Sequence, residues 1–555
     1  MHPQSRFLTA RSIFLATFLL LFGCDRTPET DQSTASGITS INLTANPNQS
    51  VPLAAILKLT TEEFTRVVAL QFDDGDQNWM VELNREFSKE HEIPLLGMRP
   101  ARSHNITAVL LDSTGNEFEA ETQTFETPLL PDAFPTPVIT AHDPARMESG
   151  VTIFNVNGRW DANGNSTPAN FSPAIIVDDE GEIVWYYLPG VHRVHDIRRM
   201  NNGNLIYEVW PGTDGMVEID MLGNIIRRWH FTGTAKDPAP GSIAVETDSF
   251  HHDFVELPNS NFLLMSSEHR IIEDWYTSET DPNAPRADAN VIADVIVEFT
   301  PEGEIVNKWS LFDILDPYRL GYNSLRGDFW ANHYDGVVEG NVHDWTHGNA
   351  LIYEEEDNSF IMSVPYQDAV IKVRMDTGEL VWILGNPDNW NAPWSDKLLA
   401  PVGDVEWSYK HHAISHTENG TYLLFDNGAA RASPFEDKMP LTDSYSRAVE
   451  YSINEETMEV SQVWVYGPED EQYYGRYLGD VDWLPMTDNI LINVGGQETN
   501  ADGVNAPLGP GTQRWARFME VTHTQPAEKV WELQLKDDDL GWAVYRADRI
   551  PSVYP

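Results

Sequence analysis

A repeated pattern of turn, strand and tryptophan constrains the fold of this chain most strongly. Beyond residue 150, a turn residue is followed six times by a short apolar run that ends in Trp. Six similar units in one chain are typical of a repeat architecture in which each unit is a small meander of strands. The pattern predicts a six-bladed β-propeller over residues 151–555, with one repeat tryptophan each at Trp185, Trp229, Trp309, Trp382, Trp464 and Trp531.

The two ends of this region indicate how the propeller closes. The strand-like segment from Ala543 to Ile550 has no unit of its own, whereas the first unit, from Val151, is one strand short. Pairing the two segments would remove the exposed sheet edges that favour aggregation. We therefore expect the C-terminal strand to complete the first blade.

The segment before the propeller has the pattern of a smaller β domain. Residues 39–127 alternate short apolar runs with turn signals, which predicts an N-terminal β-sandwich of the immunoglobulin or fibronectin-III type. Residues 128–150 carry Pro131, Pro135 and Pro137 close together and are predicted to form a stiff linker. The predicted fold class is therefore all-β, with a sandwich ahead of a propeller.

The N-terminus has the features of an export signal. Arg6 and Arg11 precede an apolar run over residues 13–22 that is too short to span a bilayer, and Cys24 follows directly. This predicts a lipoprotein-type signal peptide over residues 1–23, acylation of Cys24 and a flexible tether over residues 24–38. The protein is then exported and anchored on the periplasmic face of a bacterial membrane. The alternative is an ordinary signal peptide with an incidental cysteine.

Charge and cysteine content exclude several classes of function. Lys and Arg total 36 against 86 Asp and Glu, so the net charge is −50 and nucleic acid is not an expected partner. With a single cysteine, the chain has neither an internal disulfide nor a multi-thiolate metal site.

Polar residues recur at one position of the repeat. His195, His252, His412 and Asp480 each lie eight residues before a turn that opens an apolar strand, and His347 fits the same position if the stretch after it is a local insertion. Since the first strand of each blade lines the central channel, these side chains are predicted to converge there. A single histidine is usually structural, but packing does not require the same ionisable residue in successive blades, so convergence favours function.

Two chemistries remain open on spacing alone. Several neutral imidazoles could hold a divalent metal, with His343, Asp344 and Asp253 as further ligands. Alternatively, one imidazole could be a nucleophile while its neighbours stabilise an anionic group during transfer.

Longer motifs carry a resemblance to a known family. The strings HHDFVELPN from His251, DWTHGN from Asp344, HHA from His411 and LFDNG from Leu424 resemble those of the bacterial arylsulfate sulfotransferases, in family order from about residue 40 to the C-terminus. The resemblance implies a β-sandwich ahead of a six-bladed propeller. It also implies transfer of a sulfuryl group from an aryl sulfate to a phenol, with neither a cofactor nor a nucleotide sulfate donor.

The resemblance also implies roles for individual residues. His412 matches the nucleophilic histidine, which would carry the sulfuryl group as a sulfohistidine intermediate, and His252 and His347 match the two other catalytic histidines. Asn349 matches a substrate-binding asparagine. His195 belongs to the ring by spacing, has no catalytic counterpart, and is expected to line the channel where substrate binds. No metal is implied.

One position departs from the family pattern. Pro365 stands where the family has an arginine that faces the sulfuryl oxygens, and Tyr366, Arg198 or Arg199 are the candidates to replace it. The alternatives are therefore a catalytically impaired binding module of the same family and a histidine-ring, metal-dependent hydrolase. The expected partners are aryl sulfates, phenols and, through the lipid anchor, a membrane; a homodimer is left open.

Overall fold

The computed structural model describes residues 37–161, 171–190, 194–209, 215–234, 237–537 and 540–554. Strands dominate these residues, which confirms the all-β prediction; the short helices are α1 (Leu311–Ile314) and the 3₁₀ turns Pro365–Gln367, Trp394–Lys397 and Leu441–Asp443. No helix in these ranges has the length and apolarity to cross a bilayer. The predicted signal peptide, Cys24 and nearly all of the tether lie outside the described residues.

The N-terminal domain is built around one long strand. Its strands are β1 (Ile38–Ala45), β2 (Ala55–Asp73), β3 (Asn78–Glu82), β4 (Ser88–Leu95), β5 (Ser103–Asp112), β6 (Glu117–Glu119) and β7 (Gln123–Glu126). Strand β2 pairs with β1, β3, β4 and β5. Leu57, Leu59 and Leu70 of β2 are buried, and they share a core with residues of the first two sheets of the following domain.

Six further sheets follow, which we number in chain order. Strand β8 (Pro137–His142) precedes them. Sheet 1 contains β9 (Val151–Asp161), β10 (Ala174–Val177) and β11 (Ile183–Tyr187), and sheet 2 contains β12 (Val194–Arg199), β13 (Leu205–Val209), β14 (Met216–Ile219), β15 (Ile225–Phe231) and β16 (Ile243–Val245). Sheet 3 contains β17 (Phe254–Glu256), β18 (Phe262–Trp275), β19 (Ala287–Phe299), β20 (Ile305–Ser310) and β21 (Val342–Asp344).

Sheets 4 to 6 have the same meander order. Sheet 4 contains β22 (Ala350–Glu354), β23 (Ser359–Val364), β24 (Ala369–Arg374) and β25 (Leu380–Gly385). Sheet 5 contains β26 (Ala400–Pro401), β27 (His412–His416), β28 (Tyr422–Asp426), β29 (Arg447–Asn454) and β30 (Glu459–Tyr466). Sheet 6 contains β31 (Asp480–Leu484), β32 (Asn489–Asn500), β33 (Thr512–Val521) and β34 (Lys529–Leu535), and the final strand is β35 (Leu540–Ile550).

The repeat tryptophans join each sheet to the next. Each lies on the outer strand of its meander and is buried, and five of them donate an indole N–H to the last outer turn of the following sheet. The bonds are Trp185 to Met221 O (2.9 Å), Trp229 to Pro301 O (2.9 Å), Trp382 to Glu455 Oε1 (2.8 Å), Trp464 to Thr524 O (3.1 Å) and Trp531 to Asp179 O (2.9 Å).

The remaining repeat tryptophan, Trp309 of sheet 3, contacts sheet 4 by packing on Phe360 at 5.6 Å between ring centroids. Since the Trp531 bond runs from sheet 6 back to sheet 1, the contacts form a closed circle of six sheets. This arrangement is compatible with the predicted six-bladed propeller.

The chain end takes the innermost position of sheet 1. Strand β35 pairs antiparallel with β9, with Ile550 opposite Val151 and Ala547 opposite Phe154. Strand β35 also packs against β12 of sheet 2 and β31 of sheet 6. The central position of β35 carries its side chains to the middle of the domain.

The predicted linker, residues 128–150, differs from expectation in one part. Residues Pro137–His142 form β8, which pairs antiparallel with β34 and adds a fifth, outer strand to sheet 6. Pro137, the first residue of β8, is at a place where proline is tolerated because it opens an edge strand. This part of the segment is therefore a strand of the second domain.

The circle of tryptophans gives a stability prediction. Trp531→Phe removes the indole donor that joins sheet 6 to sheet 1, leaves the Asp179 carbonyl without that bond and opens a small cavity, so we expect a loss of about 1–3 kcal/mol in the free energy of unfolding. Trp483→Phe is the matched control, since its indole donates to the exposed Asp488 side chain. Denaturant unfolding of both variants measures the difference, and equal losses would show that the Trp531 contact has no special weight.

Candidate active site

The structure brings the four predicted histidines together. His195 lies on β12, His252 precedes β17, His347 lies between β21 and β22, and His412 opens β27. Ring centroids are 4.8 Å apart for His195 and His252 and 4.9 Å apart for His252 and His347. Tyr545 of β35 lies among them, at 4.5 Å from His195, 5.9 Å from His252 and 6.4 Å from His412. We call these five side chains the histidine cluster.

His412 is held in one tautomer. Its Nδ1 lies 2.8 Å from Asn427 Oδ1, and Asn427 Nδ2 donates to the carbonyls of Gly475 and Leu478 at 2.7 and 2.8 Å. Those two bonds fix the amide so that its oxygen can only accept, and Nδ1 of His412 therefore carries the proton. Nε2 keeps its lone pair and accepts one long bond, 3.3 Å, from the Leu478 N–H. Burial lowers the pKa of His412 to about 3, so the ring is neutral.

His347 is oriented by a carboxylate. Its Nδ1 donates to Asp344 Oδ2 at 2.6 Å, and the other oxygen of Asp344 accepts the indole N–H of Trp330 at 3.0 Å. Burial alone lowers the pKa of His347, but the charge and hydrogen bond of Asp344 outweigh burial and raise it. His347 is therefore the member of the cluster best suited to carry a proton near neutral pH.

His252 is held by its neighbour in sequence. His251 Nε2 donates to Ser266 O at 2.9 Å, and burial lowers the pKa of His251, so its Nδ1 is an acceptor. His252 Nδ1, 2.9 Å away, donates to it. Burial, and then the other imidazoles, lower the pKa of His252 well below its usual value, so this ring is neutral with a lone pair on Nε2.

Aromatic side chains stand beside two of the histidines. Phe329, from the long segment between α1 and β21, stacks on His252 at 4.9 Å and meets His347 edge-on at 4.7 Å. Tyr366 stacks on His347 at 4.4 Å with planes 8° apart. Flat apolar faces next to polar nitrogens are suited to an aromatic ligand with a polar group.

The structure places Asn349 beneath the cluster. It is fully buried, its Nδ2 donates to His411 O at 3.0 Å, and its carbonyl accepts the Tyr545 hydroxyl at 2.9 Å and Arg546 at 2.8 Å. These contacts position the strand that begins at His412. His195 stacks on Tyr545, and its Nδ1 pairs with Glu208 at 3.1 Å, so its ring is held in place within the cluster.

The candidates to replace the missing arginine differ in position. Pro365 opens a 3₁₀ turn, and its carbonyl accepts the buried Lys410 ammonium at 3.2 Å. Of the three candidates, Tyr366 lies against His347, whereas Arg198 pairs with two aspartates and Arg199 donates to the carbonyls of Ser552 and Val553. Only Tyr366 is therefore in direct contact with a catalytic candidate.

A separate acidic group lies further along the inner strands. Asp480, Asp482 and Asp548 line a cavity of about 290 Å³, and one carboxylate oxygen from each lies within 4.8 Å of the others. Arg198, Arg199 and Arg546 line the same cavity. Arg198 and Arg546 are paired with Asp196 and Asp253, and Arg546 also lies 4.0 Å from Asp480. Five carboxylates therefore face three guanidinium groups, and Arg199 donates to two backbone carbonyls.

This surplus of negative charge affects the pKa values of the three aspartates. Burial and then the neighbouring aspartates raise the pKa of Asp480 well above its usual value, that of Asp482 to about 8 and that of Asp548 to about 6. Among the described residues, these three aspartates are the one set with the spacing for a metal ion, and no histidine belongs to it. The interpretation as a histidine-ring hydrolase thus gains no support from the geometry.

The raised pKa values of these aspartates predict that the stability of the protein depends on pH. An unfolded aspartate has a pKa of about 3.9, so between about pH 4 and pH 8 the folded state binds more protons and stability falls as the pH rises. We expect Asp482→Asn, which cannot ionise, to gain at least about 1 kcal/mol over the wild type between pH 5 and pH 8. Thermal unfolding at both pH values is the measurement. Asp488→Asn, on the exposed turn after β31, is the control, and parallel curves for the wild type and Asp482→Asn would contradict the prediction.

Comparison with known proteins places this architecture in a family. The family model described as arylsulfotransferase (ASST) matches residues 138–546, and the model described as arylsulfotransferase Ig-like domain matches residues 43–128. These two matches cover the six sheets and the N-terminal domain.

Two curated relatives and one solved structure extend the comparison. The arylsulfate sulfotransferase AssT of Escherichia coli O6:H1 (strain CFT073) is 28% identical over 431 residues, covering 68% of this chain and 66% of the relative. AssT of Lelliottia amnigena is 26% identical over 374 residues, covering 58% of each. The chain thus matches less than two thirds of either relative. The periplasmic gluconolactonase PpgL of Pseudomonas aeruginosa matches 71% of this chain and all of its own, at 8% identity and a TM-score of 0.31, too low to inform the fold. The family matches to both domains show that the chain belongs to the arylsulfotransferase (ASST) family.

Proposed function

We propose that this protein transfers a sulfuryl group from an aryl sulfate to a phenol through a covalent intermediate on His412, without a nucleotide donor. One observation carries the proposal: in His252, His347 and His412, Nδ1 is engaged by a protein partner and Nε2 is the nitrogen left for a substrate. The names of the curated relatives support the same reaction class.

In the first half-reaction, the lone pair on His412 Nε2 attacks sulfur. An N–S bond forms as the S–O bond to the aryl group breaks, and the electron pair leaves on the phenolic oxygen. His347, whose pKa Asp344 raises, donates the Nε2 proton to that oxygen. The sulfurylated His412 ring becomes positively charged, and its Nδ1–H continues to donate to Asn427 Oδ1, which stabilises that charge.

In the second half-reaction, an acceptor phenol takes the place of the first. Its oxygen attacks sulfur while neutral His347 accepts the phenolic proton, and the N–S electron pair returns to His412. The two half-reactions are mirror images, so one acid–base residue serves both. His252 remains neutral, and its Nε2 lone pair accepts a hydrogen bond from the hydroxyl of the incoming phenol before that proton passes to His347, while Phe329 and Tyr366 pack on the aryl ring.

The substrate must displace a hydrogen bond from Leu478 before the first step. Its N–H bond to His412 Nε2 occupies the lone pair that must attack sulfur. At 3.3 Å this bond is longer than the usual range for a strong N–H···N contact, so the substrate can displace it at small cost.

The covalent step can be tested by mass. After brief mixing with nitrophenyl sulfate, we expect intact wild-type protein to gain one sulfuryl group with release of one equivalent of nitrophenol, and His412→Ala to gain none. His416→Ala, on the same strand but half-exposed, is the matched control and should form the adduct. If folded wild-type protein neither gains mass nor releases the phenol with a series of aryl sulfates, sulfuryl transfer is wrong and the binding-module interpretation is favoured.

The role of Asp344 gives a test in pH profiles. Asp344→Asn removes the charge that raises the pKa of His347, so the pH above which kcat/KM falls should move downward. A leaving phenol of high pKa needs the proton most, so we expect a loss of about 10²-fold or more for phenyl sulfate and a much smaller one for nitrophenyl sulfate. Asp328→Asn, on the exposed part of the preceding loop, is the control. Equal losses for both donors would indicate a structural role for Asp344 only.

We further propose that Cys24 carries a lipid anchor on the periplasmic face of a membrane. The support is the pattern of Arg6, Arg11 and the apolar run that precedes Cys24.

A further inference from the structure

Three exposed cations lie on loops that also hold the catalytic histidines. Arg326, Lys438 and Arg476 are exposed, and each belongs to a different part of the chain. We call them the rim cations. Arg326 accepts the Asp344 N–H with its carbonyl at 2.6 Å, so its loop lies on the segment that carries His347.

Arg476 lies on the loop that contacts the proposed nucleophile. Gly475, the residue before it, accepts the Asn427 amide at 2.7 Å, and Leu478, two residues after it, donates to His412 Nε2. Arg476 is therefore fixed at both ends beside His412. Within the described ranges, no carboxylate lies within ion-pair distance of its guanidinium group.

Lys438 connects the other two rim cations. Its Nζ lies 3.9 Å above the ring of Tyr322, which is on the same long segment as Arg326 and Phe329. Partial burial lowers the pKa of Lys438; Glu279 is the largest charged contribution and raises it, whereas Lys410, Arg476 and Arg326 lower it. Glu436 and Asp437 directly precede Lys438 and, with Glu279, act on the same Tyr322 ring. Among the residues that the structure describes, the Lys438 ammonium forms no ion pair.

Among the described residues, two of the three rim cations form no ion pair with a carboxylate. Asp328 engages Arg326 at 2.8 Å, and Glu279 accepts the Leu325 N–H at 3.1 Å. Lys438 and Arg476 have no such partner. Both side chains therefore keep charged hydrogen-bond donors that an anionic ligand can engage.

We infer that Lys438 and Arg476 bind a second anionic group on the substrate, so that the preferred donors are aryl sulfates whose ring also bears a carboxylate or a comparable anion. The inference rests on the proposed function and names the substrate class of that same site. In this arrangement sulfur faces His412 Nε2 and the ring packs on Phe329 and Tyr366. The second anionic group of the donor is the part that we assign to the rim.

The experiment separates binding from turnover. In the His412→Ala background, calorimetry measures the Kd of 4-carboxyphenyl sulfate and of its methyl ester, which lacks the second charge. We expect tighter binding of the carboxylate at low salt, and we expect Lys438→Gln with Arg476→Gln to weaken that binding about fivefold or more while the ester changes less than about twofold. Lys58→Gln with Lys89→Gln, in the N-terminal domain, makes the same change in net charge and should leave both Kd values unaltered.

The outcomes are distinguishable from failure of the proposed function. Equal Kd values for the two donors, or an equal loss for both in the rim variant, would overturn the inference even if the wild type turns over both donors. A loss confined to the carboxylate supports the inference even if the wild type releases no phenol, in which case the sulfuryl transfer fails alone. An effect of the Lys58 and Lys89 control as large as that of the rim variant would assign the preference to overall charge and contradict a rim site.

Discussion

Closure of the six sheets into a circle is the constraint on which the rest of this structure depends. Each sheet alone has an apolar face and two open edges, and each repeat tryptophan satisfies its indole N–H or its packing only through the next sheet. The contact from Trp531 to Asp179 is therefore as necessary as the others, because it supplies sheet 1 with the neighbour that the linear order of the chain cannot give it. Once the circle is closed, the inner strands meet at the centre, and the side chains at equivalent positions of successive repeats become neighbours.

Burial at the centre of the six sheets changes the pKa values of the histidines. Burial disfavours charged imidazole, so His252 and His412 are neutral, which leaves a lone pair on each. His347 is buried as well, but Asp344 reverses the effect. Three buried residues of one type thus differ in the direction of their pKa shifts because their Nδ1 partners differ: an amide for His412, an imidazole for His252 and a carboxylate for His347. The proposed double displacement uses this difference between a neutral nucleophile and a proton donor.

Much of this architecture was predictable because repeats constrain position. The tryptophan pattern predicted six units, and the spacing before each turn gave three histidines the same position in their repeats. His347 joined them only on the assumption of a local insertion after it. The residues that orient them were harder to predict. Asn427 lies 15 residues after His412 in a hairpin, and its amide is fixed by two carbonyls of another sheet, a contact that no local pattern encodes. Tyr545 lies on β35, which the sequence pattern identified only as a strand without a unit of its own. Strand β8 was missed because prolines around an edge strand resemble those of a linker. The rim cations come from three loops whose proximity depends on the finished fold.

The placement of β35 has a consequence for when the site comes into existence. Tyr545 and Arg546 of β35 contact His195, Asn349 and the aspartates beneath the cluster, so the histidines have their final surroundings only after the chain has been made as far as β35. A nascent chain that stops before β35 carries the same histidines without the contacts that hold them in place. The order of synthesis therefore delays assembly of the candidate site until β35 has paired with β9.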